Sequence, residues 1–447
     1  MGFEWINITL GDFLNLKRGY DLPKAKRKDG DVPIISSSGY SGVHDISMAK
    51  GPGVVTGRYG TIGEVFYIPK DFWPLNTTLY VEDFKGNSPL FSYYLLQTID
   101  FHVYSDKAAV PGINRNHVHM ANVRVPNTIV AQEKIASILK SLEDKITSNK
   151  KINQTLEQMA QALFKSWFVD FEPVKAKMAV LEAGGSQEDA TLAAMAAISG
   201  KDTDALAVFE REQPEQYAEL KATAELFPSA MQDSELGEIP EGWELSSLSE
   251  KIKLIGGGTP KRSEPEFWNG DICWYSVKDA PADSDVFVIK TTEKITKKGL
   301  DKSSAKLLPI GTTIISARGT VGKLALTAIE MTVNQSCYAI SGGEFSGPLL
   351  TYLKVKQCVD VLKRNTHGAV FDTITKSTFD TVVTLTASKI VNHRFEKIVT
   401  PLFSDIENNL RTNASLTQLR DTLLPKLLSG EITLPEAEQA VSEAENV

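Results

Sequence analysis

Two glycine-rich turns carry the residues of this chain best placed to do chemistry. The segment GRYGTIG, residues 57–63, sets Arg58, Tyr59 and Thr61 among glycines, and ARGTVG, residues 317–322, does the same with Arg318 and Thr320. A glycine loop can cradle a phosphate, but neither segment has the G-x-x-x-x-G-K-[ST] frame that puts a lysine on the β- and γ-phosphates. GGGTPKR, at 256–262, has glycines and basic residues in the wrong order for that task. An arginine on a tight β-turn has another use. Its planar fork matches the O6 and N7 acceptors of guanine, and a threonine hydroxyl reaches base edges or phosphates. A plainer reading stays open, in which the glycines only tighten a hairpin and each arginine is a solvated rim charge.

Further polar segments flank these turns. PIISSSGYSG (33–42) offers Ser36, Ser37, Ser38 and Tyr40, and its counterpart ICWYSVKDA (272–280) offers Ser276, Lys278 and Asp279. Unlike side chains on matching loops are what two modules reading different base sequences need. Lys26 and Arg27 in KAKRK (24–28), with Lys261 and Arg262 in TPKR (259–262), fit phosphate contacts that add salt dependence without specificity. Solvated charge runs fit those stretches equally well.

Catalytic patterns are missing. Cys273, Cys337 and Cys358 form no C-x-x-C pair, which speaks against a disulfide framework or a cysteine-built zinc site. His117 and His119 in NRNHVHM lack an H-E-x-x-H frame and read as a surface turn rather than a metal site. There is no G-x-S-x-G elbow and no Asp/Asn-Pro-Pro-aromatic segment, and FEPVKAK has no upstream acid partner of the kind a nuclease needs. No catalytic or metal-ligating residue is assigned.

The elements that position the turns are written twice. Trp5 precedes Leu10 as Trp243 precedes Leu248. GPGVVTGRYGTIGEVFYI is matched by PIGTTIISARGTVGKLAL, both reading strand, tight turn, strand. Asn76 in NTTLYV corresponds to Asn334 in NQSCYAI, and AAVPGIN (108–114) faces GAVFDTI (368–374). Each half is followed by a long amphipathic helix. Ile135, Leu139, Leu142, Ile146, Asn149, Asn153, Leu156, Ala160, Leu163 and Trp167 step by alternating fours and threes, a coiled-coil seam. Adding 260 to each gives Phe395, Val399, Leu402, Ile406, Asn409, Asn413, Leu416, Arg420, Leu423 and Leu427. A buried asparagine weakens such a seam but fixes its register. Antiparallel pairing sets Asn149 against Asn413, Asn153 against Asn409, Ile135 by Leu427 and Trp167 by Phe395, although Leu142 then meets Arg420. A parallel pairing also satisfies the asparagines, but two equivalent domains related by a pseudo-twofold favour the antiparallel one.

The expected fold is α+β: two similar mainly-β domains separated by two long antiparallel helices that form a coiled coil, as a pseudo-twofold repeat. The expected boundaries are a first domain over 1–130, a first helix over 131–171, a helical acidic insert over 172–238, a second domain over 239–390, a second helix over 391–430 and an acidic tail over 431–447. Charge follows the same division. The net charge is −8, yet residues 176–242 hold 4 basic against 14 acidic residues, while 243–390 hold 19 against 15. Acidity is confined to insert and tail, so the average does not exclude a polyanionic partner. The N-terminus lacks a signal-peptide pattern and no stretch of about 18 apolar residues occurs, so a cytoplasmic location is expected.

LLPKLLSGEI (423–432), LFKSWFVDFEPV (163–174), the doubled W-x4-L starts and the twin G-T-x-G turns together resemble the specificity subunit of type I restriction–modification systems. The resemblance spans nearly the whole chain. It implies two target-recognition domains, each reading one half of a bipartite double-stranded DNA site. It also implies that the helices act as spacer and as docking surface for two methyltransferase (modification) subunits, with restriction (motor-nuclease) subunits joining through them. S-adenosylmethionine, ATP and Mg would then be used by the partner subunits, with no cofactor bound by this chain. An assembly scaffold that never touches DNA is the alternative, supported by the net acidity.

Overall fold

In the computed structural model the described residues are 3–105, 112–235, 237–282, 285–366 and 373–445. They form two compact units, Met1–Thr147 with Thr412–Val447, and Ser148–Arg411.

In the first unit Trp5–Thr9 pairs antiparallel with Asn122–Pro126. A four-stranded antiparallel sheet runs in the order Asn15–Arg18, Thr78–Asp83, Gly53–Gly57, Val65–Ile68. A three-stranded sheet sets Val32–Ser36 between Gly39–His44 and Trp73–Pro74. The β-branched run of Gly53–Gly57 is buried along its whole length, as a central strand covered on both faces must be. The helix Pro89–Gln97, capped by Ser88, closes one side.

The second unit repeats the plan. Glu244–Ser247 pairs with Val383–Thr386. The larger sheet runs Lys253–Gly256, Cys337–Ser341, Thr313–Ser316, Leu324–Thr327, and gains a fifth strand, Phe287–Val288. The smaller one sets Trp268–Tyr275 between Glu293–Ile295 and Met331–Val333. Pro348–Arg364 takes the place of Pro89–Gln97. Backbone bonds correct one detail of the repeat. Arg58 N donates to the Thr77 carbonyl at 2.9 Å, and Ala317 N donates to that of Ser336 at 2.7 Å. Thr77 therefore corresponds to Ser336, and Asn76 to Gln335 rather than Asn334. The asparagines are alike in type but stand one step apart in the ladder. Both correct partners tie back to the preceding segment, Asn76 to Asp21 and Gln335 to Thr259. The match of AAVPGIN with GAVFDTI lies for the most part outside the described residues.

Two helices of 40 and 41 residues, Ile129–Phe168 and Lys389–Ser429, are each about 60 Å long. In the first unit Ile135, Leu139, Leu142 and Ile146 share one core with Leu416, Leu423 and Leu427. In the second, Ala160, Phe164 and Trp167 share a core with Phe395, Val399, Phe403 and Ile406. The start of the first helix thus packs on the end of the second, and its end on the start of the second, as antiparallel neighbours do. Asn153 lies fully buried in this packing, and its Oδ1 accepts from Asn409 Nδ2 at 2.9 Å. Trp167 meets Phe395 edge to face at 5.4 Å. Asn149 and Asn413 are buried as well.

The buried stripe is wider than a two-helix seam. Leu156 and Leu402 are only half-buried, while Glu157 and Phe403, one residue on, are fully enclosed. The cause is a third layer: Tyr352, on the domain helix Pro348–Arg364, packs on Phe403 at 5.9 Å and donates its hydroxyl to Glu157 at 2.9 Å. The first unit has a similar latch, in which Tyr94 donates to Glu143 at 2.9 Å and Arg420 approaches the same carboxylate at 3.7 Å.

Residues 172–225 fold as four helices, Glu172–Glu182, Gln187–Ser199, Thr203–Glu212 and Pro214–Glu225. Their small core of Ala194, Met195, Ile198 and Leu206 joins Trp167, whose ring meets Phe227 at 4.9 Å. Buried Lys177 donates to the Phe227 carbonyl at 2.7 Å. After the second long helix, Leu434–Glu445 packs Ala437 and Val441 into the first unit's core.

Candidate nucleic-acid interface

Each glycine turn joins two neighbouring strands of its larger sheet, Gly53–Gly57 to Val65–Ile68 in the first unit and Thr313–Ser316 to Leu324–Thr327 in the second. Gly60 and Gly63 have φ of 77° and 87°, and Gly319 and Gly322 have 74° and 83°. Four positions in the left-handed region explain why the glycines recur, since a side chain there is strained. Ile62 N bonds back to Gly60 O and Val321 N to Gly319 O, both at 3.1 Å. Ile113 N donates to Arg58 O, and Ile374 N to Ala317 O, both at 3.0 Å.

This equivalence assigns the arginines to different places. Ala317 stands where Arg58 stands, and Arg318 takes the place of Tyr59. Arg318, Gly319 and Thr320 are exposed at the tip. Arg58 is half-buried, donates from Nε to the Ile113 carbonyl at 3.4 Å and lies over the Tyr59 ring at 4.5 Å. Thr61 is exposed, and its carbonyl packs so close to Gly57 that no side chain fits there. Ser316 fills the Gly57 position in the second unit and donates to the Thr320 carbonyl at 2.5 Å.

The polar loops come to the same edge as the turns. In the first unit Leu75 N donates to Ile35 O at 2.8 Å, and two residues on, Thr77 holds Arg58. A Cβ added at Gly60 would meet Ser37 Oγ at an ordinary contact distance of 3.5 Å, which puts the serine loop beside the turn. Ser36 Oγ donates to the Gly39 carbonyl at 3.0 Å and lies 3.1 Å from Ser38 Oγ, shaping a hairpin tip that leaves Tyr40 69% exposed. In the second unit Asn334 N donates to Tyr275 O at 2.9 Å, bringing the following loop alongside the turn. Asp279 accepts from Ser276 N at 2.9 Å and from Thr292 Oγ1 at 2.7 Å, while Lys278 is exposed.

The basic stretches divide. Lys26 and Lys261 are exposed. Arg27 donates to the Ser41 carbonyl at 2.5 Å. Arg262 is bidentate on Glu293, with one bond of 3.0 Å, and stacks on Trp268 at 3.8 Å. Its guanidinium is thereby engaged within the domain.

A cation cluster beside the first turn is invisible to motif reading. Lys17, Arg18, Arg58 and Arg115, with Asn114 and Asn116, line a cleft of about 460 Å³ floored by Leu79 and Ile113. Lys17 pairs with Glu82 at 2.5 Å and Arg18 with Asp21 at 3.8 Å. Three separate segments supply the cations, so linear spacing gives no signal; only a sheet register would have found them. Close by, His119 Nε2 accepts from Leu16 N at 2.9 Å, and burial, then Arg115 and Lys85, hold its pKa below the ordinary 6.5. Among the described residues no cluster of His, Cys, Asp and Glu is poised for a metal, and no helix is long and apolar enough to cross a membrane.

Two copies of one α+β fold, each presenting a glycine-braced turn beside a variable polar loop, define a protein with duplicated recognition surfaces. Residues 3–158 and 240–413 match the type I restriction modification DNA specificity domain. The type I restriction enzyme HindI specificity subunit of Haemophilus influenzae is 38% identical over 336 residues, 73% of this chain and 72% of that one. The EcoR124I/EcoR124II specificity subunit of Escherichia coli is 35% identical over 102 residues, 22% and 24% of the respective chains. The crystal structure of an S subunit from M. genitalium shares the fold at a TM-score of 0.52 and 14% identity, over 95% of this chain and 96% of that one. The chain belongs to the specificity subunits of type I restriction–modification systems. These are non-catalytic parts of their complexes, and membership implies recognition of DNA.

Proposed function

We propose that this chain selects a split DNA site for its complex, each mainly-β domain reading one half. One observation carries the reading: the same turn, held by matching backbone bonds, is built twice and bears Tyr59 in one copy and Arg318 in the other. Unlike side chains at one position of a duplicated fold suit half-sites of unlike sequence. In this reading the long helices set the unread gap and dock two methyltransferase subunits, through which restriction subunits join. Methyl transfer from S-adenosylmethionine and the ATP- and Mg-dependent steps belong to those partners, and the complex works in the cytoplasm.

Methylome sequencing of a host carrying the system tests this directly, because it returns both half-sites and the gap together. Arg318→Ala relaxes one half-site alone, by about 5- to 150-fold at a base pair if the arginine grips guanine, the equivalent of about 1–3 kcal/mol. Equal loss at both halves contradicts the assignment. Binding with neither sequence preference nor salt dependence would favour a scaffold instead.

A further inference from the structure

We propose that the cleft of Lys17, Arg18, Arg58 and Arg115 seats a backbone phosphate of the DNA, and that the second domain has no such seat. The inference rests on the DNA-reading function proposed above and goes beyond it by making the two domains electrostatically unequal.

The comparison is residue by residue. Lys17 and Arg18 pair with Tyr80 and Leu79 in the sheet, and in the second unit Ile255 and Gly256 pair with the corresponding Ala339 and Tyr338. Ala317 replaces Arg58, as the bonds to Ser336 and Ile374 establish. Asn114 and Thr375 each open a five-residue helix, so Arg115 corresponds to Lys376. Four cations in one domain become one in the other, and the two asparagines become Thr375 and Ser377.

The cleft's chemistry fits a phosphodiester. Its polar lining consists of cationic and amide side chains, with Leu79 and Ile113 supplying the apolar floor. Arginine forks suit the paired oxygens of a phosphate, and asparagine amides add neutral donors. Two of the cations are ion-paired, to Glu82 and Asp21, whereas Arg58 is steered by a carbonyl and an aromatic ring. That leaves its charge available and its orientation fixed before any ligand arrives. The concave shape speaks against base reading, which needs a side chain that projects into a groove. Arg58 also belongs to the turn that meets DNA in the proposed function, so DNA is favoured over an acidic protein segment.

The test uses the full chain assembled with its methyltransferase subunits and duplex DNA bearing the site that the methylome defines. Arg18 and Arg115 are exposed, so Arg18→Gln/Arg115→Gln leaves the core intact. Losing one phosphate contact lowers the slope of log affinity against log salt by about 0.9, so the gap between wild type and variant is about 3.5-fold wider at 50 mM than at 200 mM salt. Affinity for all sequences falls together, and Lys376→Gln leaves the slope nearly unchanged. A single uncharged methylphosphonate in the first domain's half-site weakens the wild type and has no further effect on the double variant. A wild-type slope in the double variant overturns the proposal. So does a changed base preference at unaltered slope, which would mark a base contact. Loss of methyltransferase subunits with DNA binding retained would mark a protein-docking surface and overturns it too. A wild-type complex with no sequence preference would instead sink the function on which the inference rests.

Discussion

Replacing Asn153 with leucine probes the pairing of the long helices at its most polar point. Asn153 is fully buried, accepts from Asn409 Nδ2 at 2.9 Å and donates to the Ile406 carbonyl at 3.4 Å. Asn153→Leu removes the acceptor and strands the half-buried Asn409 amide, at a cost of about 1–3 kcal/mol. The added apolar surface returns about 1 kcal/mol, which leaves a net loss of roughly 1 kcal/mol. Asn409→Leu fails in the mirror way, leaving Asn153 without its donor. The double variant has neither polar group to satisfy, so its stability returns close to wild type or above it. The cycle of four proteins therefore yields a favourable coupling of about 1–2 kcal/mol. Urea unfolding followed by tryptophan fluorescence reads it, since Trp167, Trp243, Trp268 and Trp274 all lie in the second unit. Additive single changes would refute the reasoning, because they would mean that the two asparagines do not depend on each other.

A half-buried histidine and a buried glutamate give two further outcomes. His119 must be neutral to accept from Leu16 N, and its folded pKa lies below the 6.5 of an ordinary histidine, chiefly through burial. The unfolded chain therefore takes up the proton first: the contribution is whole above pH 6.5 and is lost as pH falls from there through the lower folded pKa. His119→Gln, which keeps an acceptor, flattens that acid limb in an unfolding series, and an unchanged limb would exclude His119 as its source. Glu157→Ala strands the Tyr352 hydroxyl and removes the partner of Lys356, destabilising the second unit by about 2 kcal/mol after allowing for the exposure of Lys356. Tyr352→Phe costs about half as much, and a larger loss from Tyr352→Phe than from Glu157→Ala would contradict the latch.

The repeat was legible because duplication preserves spacing: the four-three steps of the helices and the glycines of the turns are set by backbone geometry, which residue types betray. The Asn153–Asn409 contact followed from that spacing once the duplication of the domains favoured the antiparallel direction. The cation cleft did not, because Lys17, Arg18, Arg58 and Arg115 converge only once the sheet register is known. Nothing in the local sequence marks Glu157 as buried; its enclosure depends on Tyr352, about 200 residues away. Arg262 reads as a free charge, and only the fold supplies Glu293 and Trp268 to occupy it. Residue identity also misplaced Asn76 by one step, since two asparagines in a row of polar residues look equivalent until a ladder counts them.

In the proposed function the paired helices set the unread gap between the two half-sites. One heptad inserted after Lys151 and another after Arg411 preserves each seam and adds about 10 Å, close to three base pairs at about 3.4 Å each. Methylome sequencing of a host carrying that variant should return both half-sites unchanged, with the gap between them longer by about three base pairs. Methylation at the original gap length, with the complex intact, would contradict a spacing role for the helices.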